Sequence, residues 1–223
     1  MLFQDRNQAG RYLATKLSAY ADRSDTLVLG LPRGGVPVAF EVAKALKAPL
    51  DVFIVRKLGV PGQEELAMGA TATGKVRALN DEVIRMFDIT GETIETVAAA
   101  EERELERRER LYRGDHPPAE IEGKTVILVD DGLATGSTMR AAVLALRRRN
   151  PARSVVAVPV AASSTCEEFR AEVDEIVCAA TPESFMAVGQ WYEEFTQTTD
   201  EEVQDLLRRA QRPDARLSGG GEA

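Results

Sequence analysis

The chain reads as an α/β protein built on a parallel, twisted sheet flanked by helices. Apolar runs at 26–29, 51–55, 125–129, 154–160 and 175–179 alternate with segments of helical periodicity, the pattern of strand–helix–strand crossovers. These runs do not alternate with polar residues, as expected of strands covered on both faces. With 44% hydrophobic and 29% charged residues among 223, the chain can fill a core and is not a low-hydrophobicity disordered polymer.

Asp5 can cap a first helix over 5–21, where Ala9, Tyr12, Leu13, Leu17 and Tyr20 recur at helical spacing. The strand Thr26–Leu29 ends at Gly30, and the loop Leu31-Pro32-Arg33-Gly34-Gly35 opens a helix running to about Leu46. Asp51–Val55 is read as the second strand, ending in Arg56-Lys57. Pro61-Gly62 marks a turn, and 66–71 with 75–79 form a strand pair or one bent strand. A charged helix over 93–112 offers internal i,i+4 pairs and reads as solvated, with Asp115-His116-Pro117-Pro118 ending it. Thr125–Val129 is the clearest strand, followed by helix 137–149, strand 154–160, a short helix over 166–172, strand 175–179 and helix 200–211. The Gly- and Pro-containing tail 213–223 is expected to be disordered.

Composition excludes several classes of function. The formal charge of −8, from 28 basic and 36 acidic residues, argues against a general nucleic-acid binder. Cys166 and Cys178 form neither a disulfide framework nor a metal box by pattern, and a single histidine, His116, removes most histidine-based metal and triad chemistry. No run of about 18 apolar residues suggests a membrane span. Residues 1–10 are polar without an apolar h-region, so no signal peptide and a cytoplasmic location are expected.

The chemistry concentrates in Val126-Ile127-Leu128-Val129-Asp130-Asp131-Gly132-Leu133-Ala134-Thr135-Gly136-Ser137-Thr138. Buried apolar residues deliver two carboxylates to a strand tip. Small residues let the backbone turn closely around a ligand, and hydroxyls meet the free N–H groups of a helix start. Acceptors at one end and donors at the other match the polarity of a sugar phosphate. Gly69-Ala70-Thr71-Ala72-Thr73-Gly74-Lys75 approaches a nucleotide-binding P-loop, but Val76 replaces the required hydroxyl. A serine hydrolase is disfavoured because no G-x-S-x-G occurs.

The 126–138 segment resembles the signature of the type I phosphoribosyltransferases, matching it at Asp130, Asp131, Ala134, Thr135, Gly136, Ser137 and Thr138. The resemblance implies that Asp130 and Asp131 bind the ribose hydroxyls of phosphoribosyl diphosphate and that Ala134–Thr138 hold its 5-phosphate. Pro32, Arg33, Gly34 and Gly35 then correspond to the family's diphosphate loop, which often carries a cis peptide, here expected between Pro32 and Arg33. Arg56 and Lys57 correspond to a basic position facing diphosphate. Catalytic roles fall to Asp130, Asp131, Arg33 and Lys57. Mg2+ is implied as cofactor, held mainly by the substrate with Asp130 or Asp131 open as protein ligands. The expected organisation is a single domain over 1–212, with a core of about 25–180 and a small variable hood from parts of 1–24 and 181–212.

The implied partners are phosphoribosyl diphosphate and a nucleobase-like acceptor, with a homodimer favoured and neither nucleic acid nor membrane involved. Phe185, Trp191 and Tyr192 are candidates for a base platform, with a small satellite core as the other reading. Ala134 stands where 6-oxopurine enzymes often carry an acidic residue, so adenine or a non-purine base is expected as the better acceptor. The lid is expected within 58–75, with Glu64-Glu65, Lys75 and Arg77 left open as contributors. A non-catalytic sensor of phosphoribosyl diphosphate shares the same motif and is the alternative to an enzyme.

Overall fold

The computed structural model describes residues 2–211; the tail read as disordered lies outside them. Helix α1 (Arg6–Lys16) leads through a short 3-10 turn to β1 (Thr26–Gly30), α2 (Gly35–Leu46) and β2 (Leu50–Val52). Three strands follow, β3 (Val55–Val60), β4 (Gln63–Ala72) and β5 (Val76–Leu79), then helices α3 (Asp81–Met86) and α4 (Gly91–Arg113). The chain continues as β6 (Thr125–Val129), α5 (Ser137–Arg147), β7 (Arg153–Val160), α6 (Ser163–Phe169) and β8 (Glu175–Ala180). A 3-10 turn at Val188–Trp191 precedes α7 (Asp200–Gln211).

The main sheet is parallel throughout, in the order β2-β1-β6-β7-β8. Its apolar runs are continuous because both faces are covered. Val28, Ile127, Val129, Val155 and Ala157 pack under α1, α2 and α7, whereas Leu27, Leu29, Val126, Leu128, Val156 and Val158 pack under α5 and α6. Asp5 caps α1, accepting from the Gln8 N–H at 2.7 Å.

The second strand is shorter than its apolar run suggests. Pairing with β1 stops at Val52, although the Phe53 N–H still reaches the Gly30 carbonyl at 3.0 Å. Ile54 turns away and donates to Thr73 Oγ1 at 3.0 Å. Arg56 and Lys57 therefore lie inside β3, in an antiparallel sheet ordered β3-β4-β5, rather than at a parallel strand's end. Nothing in an unbroken apolar stretch marks where a strand changes partners.

Two further readings are corrected. The charged helix α4 is not simply solvated. Ile94, Ala98, Leu105 and Tyr112 are buried, and its acids reach across to the side sheet. Arg56 pairs with Glu101 at 2.6 Å, and Arg77 with Glu95 and Glu102 at 2.6 and 2.8 Å. Cys166 on α6 and Cys178 on β8 form a disulfide, because α6 folds back on the strand and brings their Cα atoms to 6.6 Å. Twelve positions of sequence separation hide that proximity.

Candidate functional site

The chain passes from β1 outward to β2, then returns to place β6 on the other side of β1. Such a reversal opens a crevice at the carboxyl ends of the two strands. Here Gly30 and Val129 are paired in register, so the strands end flush. The Leu31 N–H donates to the Val129 carbonyl at 2.9 Å. The loops 31–35 and 130–136 consequently leave the sheet side by side.

Their contact depends on Gly34. A β-carbon there would lie 2.1 Å from Asp131 Oδ2, an impossible separation. The peptide between Pro32 and Arg33 is cis, as the resemblance implies. Asp130 lines the cavity beside this loop, and its Oδ1 accepts from the Asp131 N–H at 2.8 Å. Burial, reinforced by the neighbouring Asp131 charge, pushes the Asp130 carboxyl well above the usual carboxylate range. Burial also raises Asp131, with Arg6 opposing it.

Leu133–Met139 wrap a cavity of about 290 Å3 that Asp130 and Lys57 also line. Gly136 takes a left-handed φ of 73° just before α5, and a β-carbon there would strike the Phe169 ring. The loop is held from behind through its carbonyls. Thr165 Oγ1 donates to Ala134 O at 2.6 Å, and Arg140 donates to Thr135 O at 2.7 Å. With its carbonyls engaged outward, the loop turns toward the start of α5, whose first N–H groups suit an anion.

Lys57 and Thr138 also border a second cavity of about 680 Å3, beneath the side sheet. Pro32, Arg56, Arg108 and Glu101 line it. Lys57 and Arg56 thus reach the crevice from β3, not from the main sheet. Arg33 lies 3.8 Å from Asp200 of α7, which also accepts from the Tyr112 hydroxyl at 2.6 Å.

The opposite wall is formed by the N-terminal residues with the segment 185–195, whereas the final helix α7 packs into the main core. Phe3 bridges to Tyr192, and the Glu193 N–H donates to Phe3 O at 2.8 Å. Phe185 stacks on Trp191, and both pack against the buried cluster of Phe3, Ala9, Val160 and Tyr192. Tyr192 is 5% exposed, and its hydroxyl donates to the Asp131 carbonyl at 2.6 Å; it is part of the satellite core rather than an open platform. Val188, which sequence reasoning missed, lies against Gly132 and lines the 290 Å3 cavity. Arg6, Arg108 and Asp200 were also missed. Each is a charged residue on a helix remote in sequence from the motif, without a local signal.

Among the described residues no cluster of three or more His, Cys, Asp or Glu could hold a metal. Asp130 at the cavity wall suits Mg2+, which takes one or two carboxylates and completes its shell with substrate oxygens and water. No helix among the described residues is long and apolar enough to cross a membrane.

The family model for the phosphoribosyl transferase domain matches residues 3–192. A Mycobacterium tuberculosis protein named "Putative phosphoribosyl transferase" is 47% identical over 211 residues, which cover 95% of this chain and 47% of that protein. The chain thus spans about half the length of the curated relatives it matches. The crystal structure of TT1426 from Thermus thermophilus aligns with a TM-score of 0.87 and 42% identity, covering 94% of this chain and 99% of that one.

Proposed function

The chain belongs to the phosphoribosyl transferase family, and on that premise we propose that it transfers the 5-phosphoribosyl group of phosphoribosyl diphosphate to a nucleobase-like acceptor, releasing diphosphate. The observation that carries this reading is the flush ending of β1 and β6. It brings the loop that carries Asp130 and Asp131 beside the glycine loop 31–35 and close to the start of α5.

In the proposed reaction the bond between ribose C1 and diphosphate breaks through an oxocarbenium-like state, and negative charge develops on the leaving group. The acceptor nitrogen then bonds to C1. The 5-phosphate binds at Ala134–Thr138, where N–H groups at the α5 start offset its charge. Asp130 and Asp131 accept from the ribose hydroxyls and fix the sugar. Lys57, Arg56 and Arg33, with the loop 32–35, face the diphosphate and stabilise its growing charge. Asp130 or Asp131 would be the protein's ligand to a magnesium ion, and Asp130, which lines the cavity, is the better candidate. When bound, that ion supplies Lewis-acid neutralisation of diphosphate charge. No covalent nucleophile takes part.

Ala134 bears on the acceptor. It lines the cavity and offers a methyl group where a carboxylate would hydrogen-bond a purine ring nitrogen. Losing such a bond costs about 1.5–3 kcal/mol, so hypoxanthine and guanine should turn over roughly ten- to a hundredfold more slowly than adenine or a non-purine base. Calorimetry with phosphoribosyl diphosphate and magnesium, followed by steady-state rates over a base panel, tests the reading. No binding would overturn it. Binding without turnover of any base would favour the sensor, and preference for a 6-oxopurine would overturn the acceptor assignment.

A further inference from the structure

Arg6 lies outside the phosphoribosyl diphosphate motif, yet it stands where three parts of the crevice meet. Its Nε donates to Asp131 Oδ2 at 2.8 Å, with the two side chains only 11% and 15% exposed. Its Nη1 donates to the Thr196 carbonyl at 2.7 Å. The guanidinium lies over the Phe195 ring, 4.0 Å from its centroid. A β-carbon on Gly34 would fall 3.3 Å from Arg6 Nε as well as against Asp131. The backbone of Asp131 is fixed from the same side by Tyr192.

A carboxylate pair at a strand tip has rotational freedom that a short loop cannot remove. The bond from Arg6 uses one oxygen of Asp131, and a carboxylate has acceptor capacity to spare. Resting on the functional reading above, we infer that Arg6 is a positioning residue for ribose recognition. It fixes Asp131 so that its remaining oxygen meets a ribose hydroxyl, and thereby makes the N-terminal helix and the hood part of the donor-substrate site. Arg6 does not touch the reacting atoms. Its planar, Nε-directed geometry suits this role better than a lysine ammonium, because it binds the carboxylate, a carbonyl and an aromatic face at once.

A double-mutant cycle on the full chain tests this. Arg6→Gln, Arg6→Lys and Asp131→Asn would be made singly and in both combinations, with affinity for phosphoribosyl diphosphate and magnesium read by calorimetry and folding checked by thermal unfolding. Arg6→Gln should weaken binding about 10- to 100-fold, the scale of one charged hydrogen bond. Arg6→Lys keeps charge and stem and should recover part of that loss. Either substitution should cost little more once Asp131 is already Asn, because the loss acts through that carboxylate. Additive losses would overturn the role, as would tighter binding by Arg6→Gln, which would mean that Arg6 competes with the ligand. If Arg6→Gln fails to fold, the cycle through Arg6→Lys decides. A wild-type chain that binds no phosphoribosyl diphosphate would sink the functional reading itself. Wild-type binding with an additive cycle would sink only the role of Arg6.

Discussion

The two sheets are built differently. The parallel sheet is apolar on both faces, and β1 and β6 are buried at every position. The antiparallel sheet buries Leu58, Val60 and Met68 against α4, but β3 is half-exposed along much of its length. Its hold on α4 adds the ion pairs of Arg56 and Arg77. The cradle therefore rests on a frame stabilised by apolar burial, which salt and pH barely change. The basic residues proposed to face diphosphate rest partly on screened charges. On the proposed reading the first region would hold the sugar and phosphate, and the second would face the leaving group.

Attacking the cradle should produce the largest effect. Asp130→Asn with Asp131→Asn removes both carboxyl groups, each worth about 1.5–3 kcal/mol when it accepts as a carboxylate. Calorimetry, on protein checked for folding by thermal unfolding, should show phosphoribosyl diphosphate affinity falling by at least about a hundredfold; unchanged affinity would remove the pair from the site.

Next comes the disulfide at the edge of the parallel sheet. A closed loop of this size contributes about 3 kcal/mol by restricting the unfolded chain. Denaturant midpoints with and without a dithiol reductant should differ accordingly, and identical midpoints would show that apolar packing alone holds α6.

Tyr112 joins α4 to α7. Burial, then its hydrogen bond to Asp200, pushes its hydroxyl up to about 12 from an ordinary 10.0. The unfolded chain releases this proton first, so the stabilisation is complete below pH 10.0 and is lost as pH rises toward about 12. Tyr112→Phe should flatten that alkaline limb in unfolding measurements, and an unaltered limb would place its cause elsewhere.

The smallest effect concerns the side sheet. Arg77→Ala should cost less than about 1 kcal/mol and less still in high salt, measured by denaturant titration. A salt-independent loss would mean that the two sheets are held alike.

The sequence announces the parallel sheet well because burial on both faces writes long apolar runs, and Asp130-Asp131 falls where such a run stops. The loop at 132–136 is legible for a related reason: backbone turns require small residues in order, and Gly136 is one whose φ demands it. The side sheet is only partly legible: the runs 66–71 and 75–79 mark β4 and β5, but β3 is hidden. Leu58, Gly69 and Ala72 carry no strong period, and Val55 belongs to an apolar run that starts in another sheet. Contacts such as Arg6 with Asp131 are invisible for a different reason, since ionic partners far apart in sequence leave no local pattern. The disulfide escaped because pairing depends on how α6 folds back, not on spacing.

The meeting of Arg6 and Thr196 spans 190 positions, and such a range bears on the order in which the crevice assembles. The motif at 126–138, paired to β1 and with its loop held from behind by Thr165, is complete once the chain has been formed through α6. The roof is not: Phe3 must wait for Tyr192, its bridge partner. Contacts of such long range are late in folding because the entropy of closing the loop precedes their reward. A nascent chain thus owns a cradle before it owns a roof, and the early crevice would present its carboxylates and N–H groups to solvent while the first helix has no hood to dock against.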